Sequence, residues 1–529
     1  MSEAKNFLLN RRDFLTLTGS SLLLAACGQQ GEPAPVEEGP LEEAPVEEAP
    51  GEEAAGGGTL RVAFSSTPAE LDPALYTNNE EYNIGFAIFD GLVWVDHTLT
   101  PQPALAESWE SSDDGLTWTF KLREGVKFHH GTDFTAQDVV YTFERILDEE
   151  FGSPLRSTLL FLDGVEAVDD YTVQFNLASA NADLAFLTGG AQARIVPHDM
   201  TSDEIRANPS GTGAFKMSEY VAADHTTLVR NDDYWGGAPA LDEIRHLYMP
   251  EAPTQVAALS GGTIDVIWQL GPENIPPLEG DPNVTVHEVP SGLYQTIAMQ
   301  ANVEPFTDVR VRQALKYCVD RPGVLQVVLQ GRGELANDHP IAPVSPFYAD
   351  IPIRERNIEK AKELLAEAGY ADGLELTLVT STVRAGMVEF AVAFQEMAKE
   401  AGIKIEIERV PPDNFWSETW MKVPFFTSNW NFRPSIDETL TLLYHSDAKW
   451  NEGEWRNPDF DALVEAARAE GDPNKRKELY AQAQELLHEE GSVIISYFKP
   501  ALMATRNNVK GFTPHPATWL DLRTTSLEA

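Results

Sequence analysis

Between residues 374 and 410 the chain reads as a strand, a helix and a second strand: "LELTLVT" (374–380), the amphipathic "VEFAVAFQEMAKEAG", and "IKIEIERV" (403–410). Two strands joined through a helix run parallel and cross over right-handed, so this stretch commits the chain to a parallel, helix-covered sheet. The same order occurs upstream in "EIRHLYM", a helix at 254–260, and "TIDVIWQL". "TLRVAF" (59–64), "WTFKL" (118–122) and "TVQFNL" (172–177) alternate as half-buried strands do. "TAQDVVYTFERIL" (135–147) reads as a helix with Thr135 as its cap and Asp138 three residues on, as in a capping box. "VRVRQALKYCV" and "PGVLQVVLQG" are consecutive helices, with Pro322 in the first turn of the second. "NIEKAKELLAEAG" stops at Gly369. Two more amphipathic helices, at 458–470 and 473–490, lead to a strand in "SVIISYF" (492–498). At 58.4 kDa the chain exceeds what one hydrophobic core serves. The expected fold is therefore α/β in two lobes, with chain crossings near residues 290–300 and 492–500.

The N-terminus carries an address. Arg11 and Arg12, followed by Asp13, Phe14 and Leu15, match a twin-arginine export signal. An ordinary secretory signal with two arginines in its positive region gives the same pattern, and either one exports the chain. The apolar run from Phe14 to Ala26 suits a signal but falls short of the ~20 residues of a membrane-spanning helix. "LAAC", ending at Cys27, resembles a bacterial lipobox, which implies cleavage before Cys27 and lipid on its thiol and amino group; a nonlipidated signal cut nearby is the alternative. "PVEEGPLEEAPVEEAPGEEA" (35–54) repeats paired glutamates and has almost nothing to bury. It is expected to be disordered, a tether spanning roughly 90 Å at about 3 Å per residue.

The formal charge is −44, from 83 acids against 39 bases. Such a balance argues against nucleic acid as a partner, since that demands basic patches to replace phosphate counterions. It fits solubility in salty surroundings, or attraction for cations. Two cysteines make no disulfide framework, and Cys318, in "VRVRQALKYCVD", is expected as a buried thiol on the apolar side of its helix. No G-x-S-x-G, H-E-x-x-H or phosphate loop is present. "GTGAF" (211–215) reads as a turn. His129 and His130 are adjacent, so on a strand they face opposite ways, and no histidine spacing suggests a metal. No cofactor is expected. The richest chemistry lies in "DNFWSETWMKVPFFTSNWNFRPSID" (413–437), where Trp416, Trp420, Trp430, Phe432 and Arg433 suit either a small-ligand pocket or core packing around a helix.

Four long stretches carry a resemblance. "LAESWESSDDGLTWTFKLREGVKFHHGTDFTAQDVVYTFERI" (105–146), "GTGAFKMSEYVAADHTTLVRNDDYWGG" (211–237), "FTDVRVRQALKYCVDRPGVL" (306–325) and "NIEKAKELLAEAGY" (357–370) resemble hallmarks of the bacterial extracellular solute-binding proteins of family 5. These are the dipeptide, oligopeptide, nickel and opine receptors of ABC importers. The resemblance implies a type II periplasmic-binding-protein clamp with an extra subdomain in its first lobe. It implies a signal over 1–26, a lipidated Cys27 and acidic linker over 27–58, and a first lobe over 59–295 with the subdomain at about 82–191. A second lobe over 296–495 and a return to the first lobe over 496–529 complete it.

The same resemblance implies a monomer without catalysis that holds a small, peptide-like solute. It would be tethered to the outer face of the membrane or periplasmic, and would serve a permease and ATPase complex. Peptide receptors of the family carry an acid for the ligand's amino group where this chain has "NWNFRPSIDETL" (429–440), so Asn431 or Phe432 takes that acid's place, with Arg433 beside it. Arginine there favours a carboxylate or phosphate; its alternative role is a salt bridge within the lobe. Asp437 matches a later acid, as ligand contact or structural group. Arg384, in "TSTVRAGM", is a second anion candidate, Trp416 and Trp430 are candidate walls, and Tyr76 would contribute from the other lobe. Rivals are a nickel-chelate, opine or sugar-phosphate receptor, a secreted hydrolase, and a structural surface lipoprotein.

Overall fold

The computed structural model describes residues 57–528. Arg11, Arg12, Cys27 and the acidic repeat lie outside the described residues. One mixed sheet runs through the molecule, and its strand order explains the two lobes. Ile403–Val410, Leu374–Ser381 and Phe425–Trp430 form one end, and Val266–Ile267, Thr59–Phe64, Glu243–Tyr248, His225–Arg230 and Phe215–Val221 form the other. Between them lie two long strands, Val284–Met299 and Tyr497–Arg506, which pair with each other and belong to both halves. The expected crossings are these strands.

The second lobe is built around the parallel pair expected from its sequence, with Leu374 opposite Ile403 and Ser381 opposite Val410. The connecting helix, Met387–Lys399, buries Phe390, Phe394 and Ala398. Cys318 follows the helix Val309–Tyr317, fully buried, and burial pushes its thiol up to about 12. In the first lobe, Glu243–Tyr248 and Val266–Ile267 are both parallel to Thr59–Phe64 but on opposite sides of it. The first strand of the body is thus inserted between the two strands of the upstream unit. "TIDVIWQL" contributes only Val266–Ile267, because the Asp265 carboxylate is engaged by Arg61 (2.8 and 2.7 Å) and Pro272 opens a turn. A separate antiparallel sheet of Ala106–Ser111, Thr117–Leu122, Thr172–Leu177 and Leu162–Asp169 packs with the helix Ala136–Leu147 around Phe120, Phe143 and Phe175. The Thr135 N–H donates to the Asp138 carboxylate at 2.8 Å, as the capping sequence requires.

The long strands are interrupted where they pass between lobes. Val289 pairs with Ala501, yet Leu293 pairs with Lys499, so Pro290, Ser291 and Gly292 stand opposite Pro500 alone. Prolines on both strands withhold N–H donors, which leaves a gap in the ladder. The return strand also differs from expectation. It pauses after Val493–Ile494 and then runs from Tyr497 to Arg506, because the bulge opposite Pro500 lets it continue past the proline.

The lobes also meet away from these strands. The Phe432 ring of the second lobe packs with Phe86, Val95 and Trp519, lying so close over Gly292 that a Cβ there would fall 2.1 Å from it. Asp183 of the first lobe accepts from Ser435 (3.1 Å) and pairs with Arg476 (2.7 Å), and Ala182 N–H donates to the Arg468 carbonyl at 2.9 Å.

Candidate functional site

The strand Phe425–Trp430 pairs antiparallel with Val284–Met299, placing Trp430 opposite Tyr294. Its indole meets Trp420 at 5.9 Å between ring centroids, and Trp420 meets Trp416 at 5.8 Å, both nearly edge to face. Trp450 completes the set at 6.4 Å from Trp430. Behind the rings lies Glu452, 3% exposed. Its carboxylate accepts from Thr296 Oγ1 (2.6 Å), Trp430 Nε1 (3.0 Å) and Trp420 Nε1 (3.0 Å). Burial pushes this carboxyl up, and the three donors pull it back. One buried acid thereby fixes two indoles in orientation.

The tryptophans line an open cavity of about 240 Å³, walled also by Asn429, Asn431, Arg384 and Arg433. Arg433 lies just before the helix Ile436–Leu443, which Ser435 caps by accepting from Glu438 N–H. Its guanidinium carbon is 5.7 Å from the Trp430 ring centre and 5.4 Å from that of Trp450, within cation–π range. Its Nε faces Glu438 at 3.4 Å, while its Nη1 is buried without an acceptor. Arg384 sits in the exposed loop ahead of the helix Met387–Lys399. It donates to the Val383 carbonyl (3.1 Å) and lies 6.0 Å from the Trp416 ring centre. Gln295 holds that loop by donating to the Ala385 carbonyl at 2.8 Å, which links it to the long strand.

Arg384 also borders a larger cavity of about 540 Å³. This one is a cleft between lobes, lined by Gln269 and Glu273 from the first lobe, Val328 and Glu389 from the second, and Lys499 from the return strand. Lys499 Nζ donates to Asn429 Oδ1, joining the cleft to the tryptophan cavity. Burial, and then the positive charge of Arg384, lowers its ammonium to about 8.

The structure thus brings together Arg384, Trp416, Trp430, Asn431 and Arg433 of the residues expected from sequence. It turns three others away. The Tyr76 ring is enclosed in the first lobe, with its hydroxyl donating to the Leu71 carbonyl at 3.3 Å and its ring against Gly85. Phe432 faces the first-lobe cluster rather than the tryptophans. Asp437 is buried against Arg468, both of its oxygens 3.0 Å from Nε; burial pushes its carboxyl up and Arg468 draws it down. Of Asp437's two expected roles, this geometry is the structural one.

Sequence reasoning missed Glu452, Trp450 and Lys499. An indole N–H in an apolar setting needs an acceptor, and that need was the only signal pointing to Glu452. Elsewhere, His129 and His130 engage separate partners, the Gly213 carbonyl (2.9 Å) and the Ser210 hydroxyl (2.6 Å). The glycines of "GTGAF" serve packing: a Cβ on Gly211 would lie 2.1 Å from the Ile88 carbonyl oxygen. Among the described residues no helix is long and apolar enough to cross a membrane.

Residues 100–452 match the family model described as bacterial extracellular solute-binding proteins, family 5 Middle. The chain is 30% identical to heme-binding protein A of Haemophilus influenzae over 95% of its own length and 96% of the relative's. It is 27% identical to the dipeptide-binding protein of Escherichia coli, covering 87% and 92% of the two chains. Among solved structures it resembles the ABC transporter-associated periplasmic binding protein DppA of Helicobacter pylori in complex with the peptide STSA. That likeness has a TM-score of 0.78 and 27% identity, over 90% of this chain and 99% of the other.

Proposed function

Because the chain belongs to the family 5 bacterial extracellular solute-binding proteins, we propose that its interlobe cleft captures a small, peptide-like or other polar organic solute and presents it, unchanged, to the permease of an ABC importer. One observation carries the proposal. The cleft lies between two lobes joined by a paired strand with a gap in its ladder, and charged groups from both lobes and the linking strand face into it. Hinged lobes that enclose a solute expel water and offer the partner a loaded shape. The buried acids Glu452 and Asp437 are engaged by indoles and by Arg468, and Glu438 faces Arg433, which supports binding without hydrolysis.

The proposal extends to the N-terminus. Arg11 and Arg12 would direct export by the twin-arginine route, Cys27 would carry lipid, and the acidic repeat would hold a monomeric receptor off the membrane. Replacing both arginines by lysine would then strand precursor inside the cell.

A thermal-shift screen over peptides, amino acids, sugars and organic acids tests the receptor reading. A ligand that binds the folded chain alone raises the melting temperature by mass action, worth about 2.7 kcal/mol at a hundredfold excess over Kd. A broad screen in which nothing raises it would sink the reading.

A further inference from the structure

The receptor reading leaves the chemistry of the solute open, and the cavity walls narrow it. A cage of tryptophans is ordinarily a seat for a cation, because the faces of the rings are electron-rich. Here cations already sit at those faces: Arg433 lies near Trp430 and Trp450, and Arg384 near Trp416. A solute ammonium would meet two guanidinium groups on the same walls. In a chain whose formal charge is −44, these walls carry two arginines and no carboxylate. Glu452 is close but turned behind the rings, engaged by its three donors.

The donors are also left wanting acceptors. Arg433 spends its Nε on Glu438, while its Nη1 is enclosed with none. The Arg384 guanidinium reaches only its neighbour's carbonyl. Both guanidinium groups border the cavity, and a carboxylate there would give them a charge-assisted acceptor. The rings meet nearly at right angles, offering a face and an edge to a flat guest. The space, about 240 Å³, exceeds the ~150 Å³ of a cavity that takes up benzene, which suits one ring system with a short acidic arm.

We propose that the tryptophan cavity takes an aromatic carboxylate, its flat ring against the indoles and its carboxylate on Arg384 and Arg433, with no ammonium group required. The inference rests on the receptor reading and sharpens it. Its test uses the full chain and three probes sharing one ring: indole-3-acetate, indole-3-acetamide and tryptamine, titrated by calorimetry. Indole-3-acetate is expected to bind saturably, the neutral amide at least about tenfold more weakly, and tryptamine not at all. Arg384→Gln should weaken indole-3-acetate about tenfold and the amide by a smaller factor, narrowing the gap between the two; that side chain is exposed, so the fold survives. Arg384→Lys, which keeps the charge, should recover part of the loss. Equal or tighter binding of the amide or tryptamine, or no saturable binding of indole-3-acetate, overturns the proposal. Running the probes beside the thermal-shift screen separates the two claims. If a zwitterionic peptide or a sugar stabilises the chain and indole-3-acetate does not, the proposal falls and the receptor reading stands. If nothing in the screen stabilises it, both fall.

Discussion

The tryptophan cavity and the larger cleft share Arg384 as a common wall but are built on opposite principles. The first comes from the second lobe alone, with its rings set by a buried acid and with only positive charge on its walls. The second is assembled from both lobes and the return strand, and mixes Glu273 and Glu389 with Arg332 and Lys499. A cavity within one lobe keeps its shape whatever the lobes do, whereas a cleft between lobes exists only as their relation allows. The difference suits a division of labour, in which preset groups would read a solute and the cleft would respond to its presence.

The comparison can be broken most forcefully at Glu452. Glu452→Ala leaves the indole N–H groups of Trp420 and Trp430 and the Thr296 hydroxyl without their acceptor, and should cost on the order of 3 kcal/mol in urea denaturation. Glu389→Ala, an exposed change in the mixed cleft, should stay within about 0.5 kcal/mol. Equal costs would mean the two cavities are not differently built. A smaller effect is expected on binding. Arg433→Ala should weaken the solute found by the thermal screen at least tenfold, about 1.4 kcal/mol. An unchanged affinity by calorimetry would remove Arg433 from the contact set.

The subtlest expectation concerns pH. Lys499 titrates at about 8 in the folded chain, against about 10.4 for a free lysine. Raising the pH from 7 to 9 removes a positive charge from the cleft, so affinity for an anionic solute should fall severalfold, and Lys499→Met should flatten that dependence. Stability moves the other way. Between the two values the unfolded chain binds a proton that the folded chain does not, so this group's contribution rises with pH. It is complete above the unfolded value and is lost as pH falls through about 8. Binding that follows stability in sign would refute the placement of Lys499 as a cleft charge.

Much of the architecture was legible because it repeats with the period of its elements. The unit 374–410 announced a parallel pair, and the gap between "VRVRQALKYCV" and Pro322 marked a helix boundary that the structure keeps. The site was legible in part. Segment 413–437 held the right residues, but sequence does not say which way each one points. Phe432 and Arg433 are neighbours that face different lobes, and Asp437, four residues after Arg433, already belongs to a helix whose buried side meets Arg468. Tyr76 was expected to reach across from a loop, yet the lack of a Cβ on Gly85 lets its ring lie flat inside its own lobe. Glu452 escaped notice because the tie between an acid and two indoles is tertiary, and no local spacing encodes it.

Asp183 gives the encounter between solute and protein a clock. Any separation of the lobes must pull its carboxylate from between the Ser435 hydroxyl and the Arg476 guanidinium; the Asp183 and Arg476 side chains are only 11% and 8% exposed. Ions that are screened poorly while enclosed must be rehydrated as they part. That work is met each time the lobes part, whether a solute enters or leaves. A solute that leaves this molecule therefore leaves at a tempo set partly by a contact it never touches, and added salt, which quickly blunts exposed charges, should alter that tempo little.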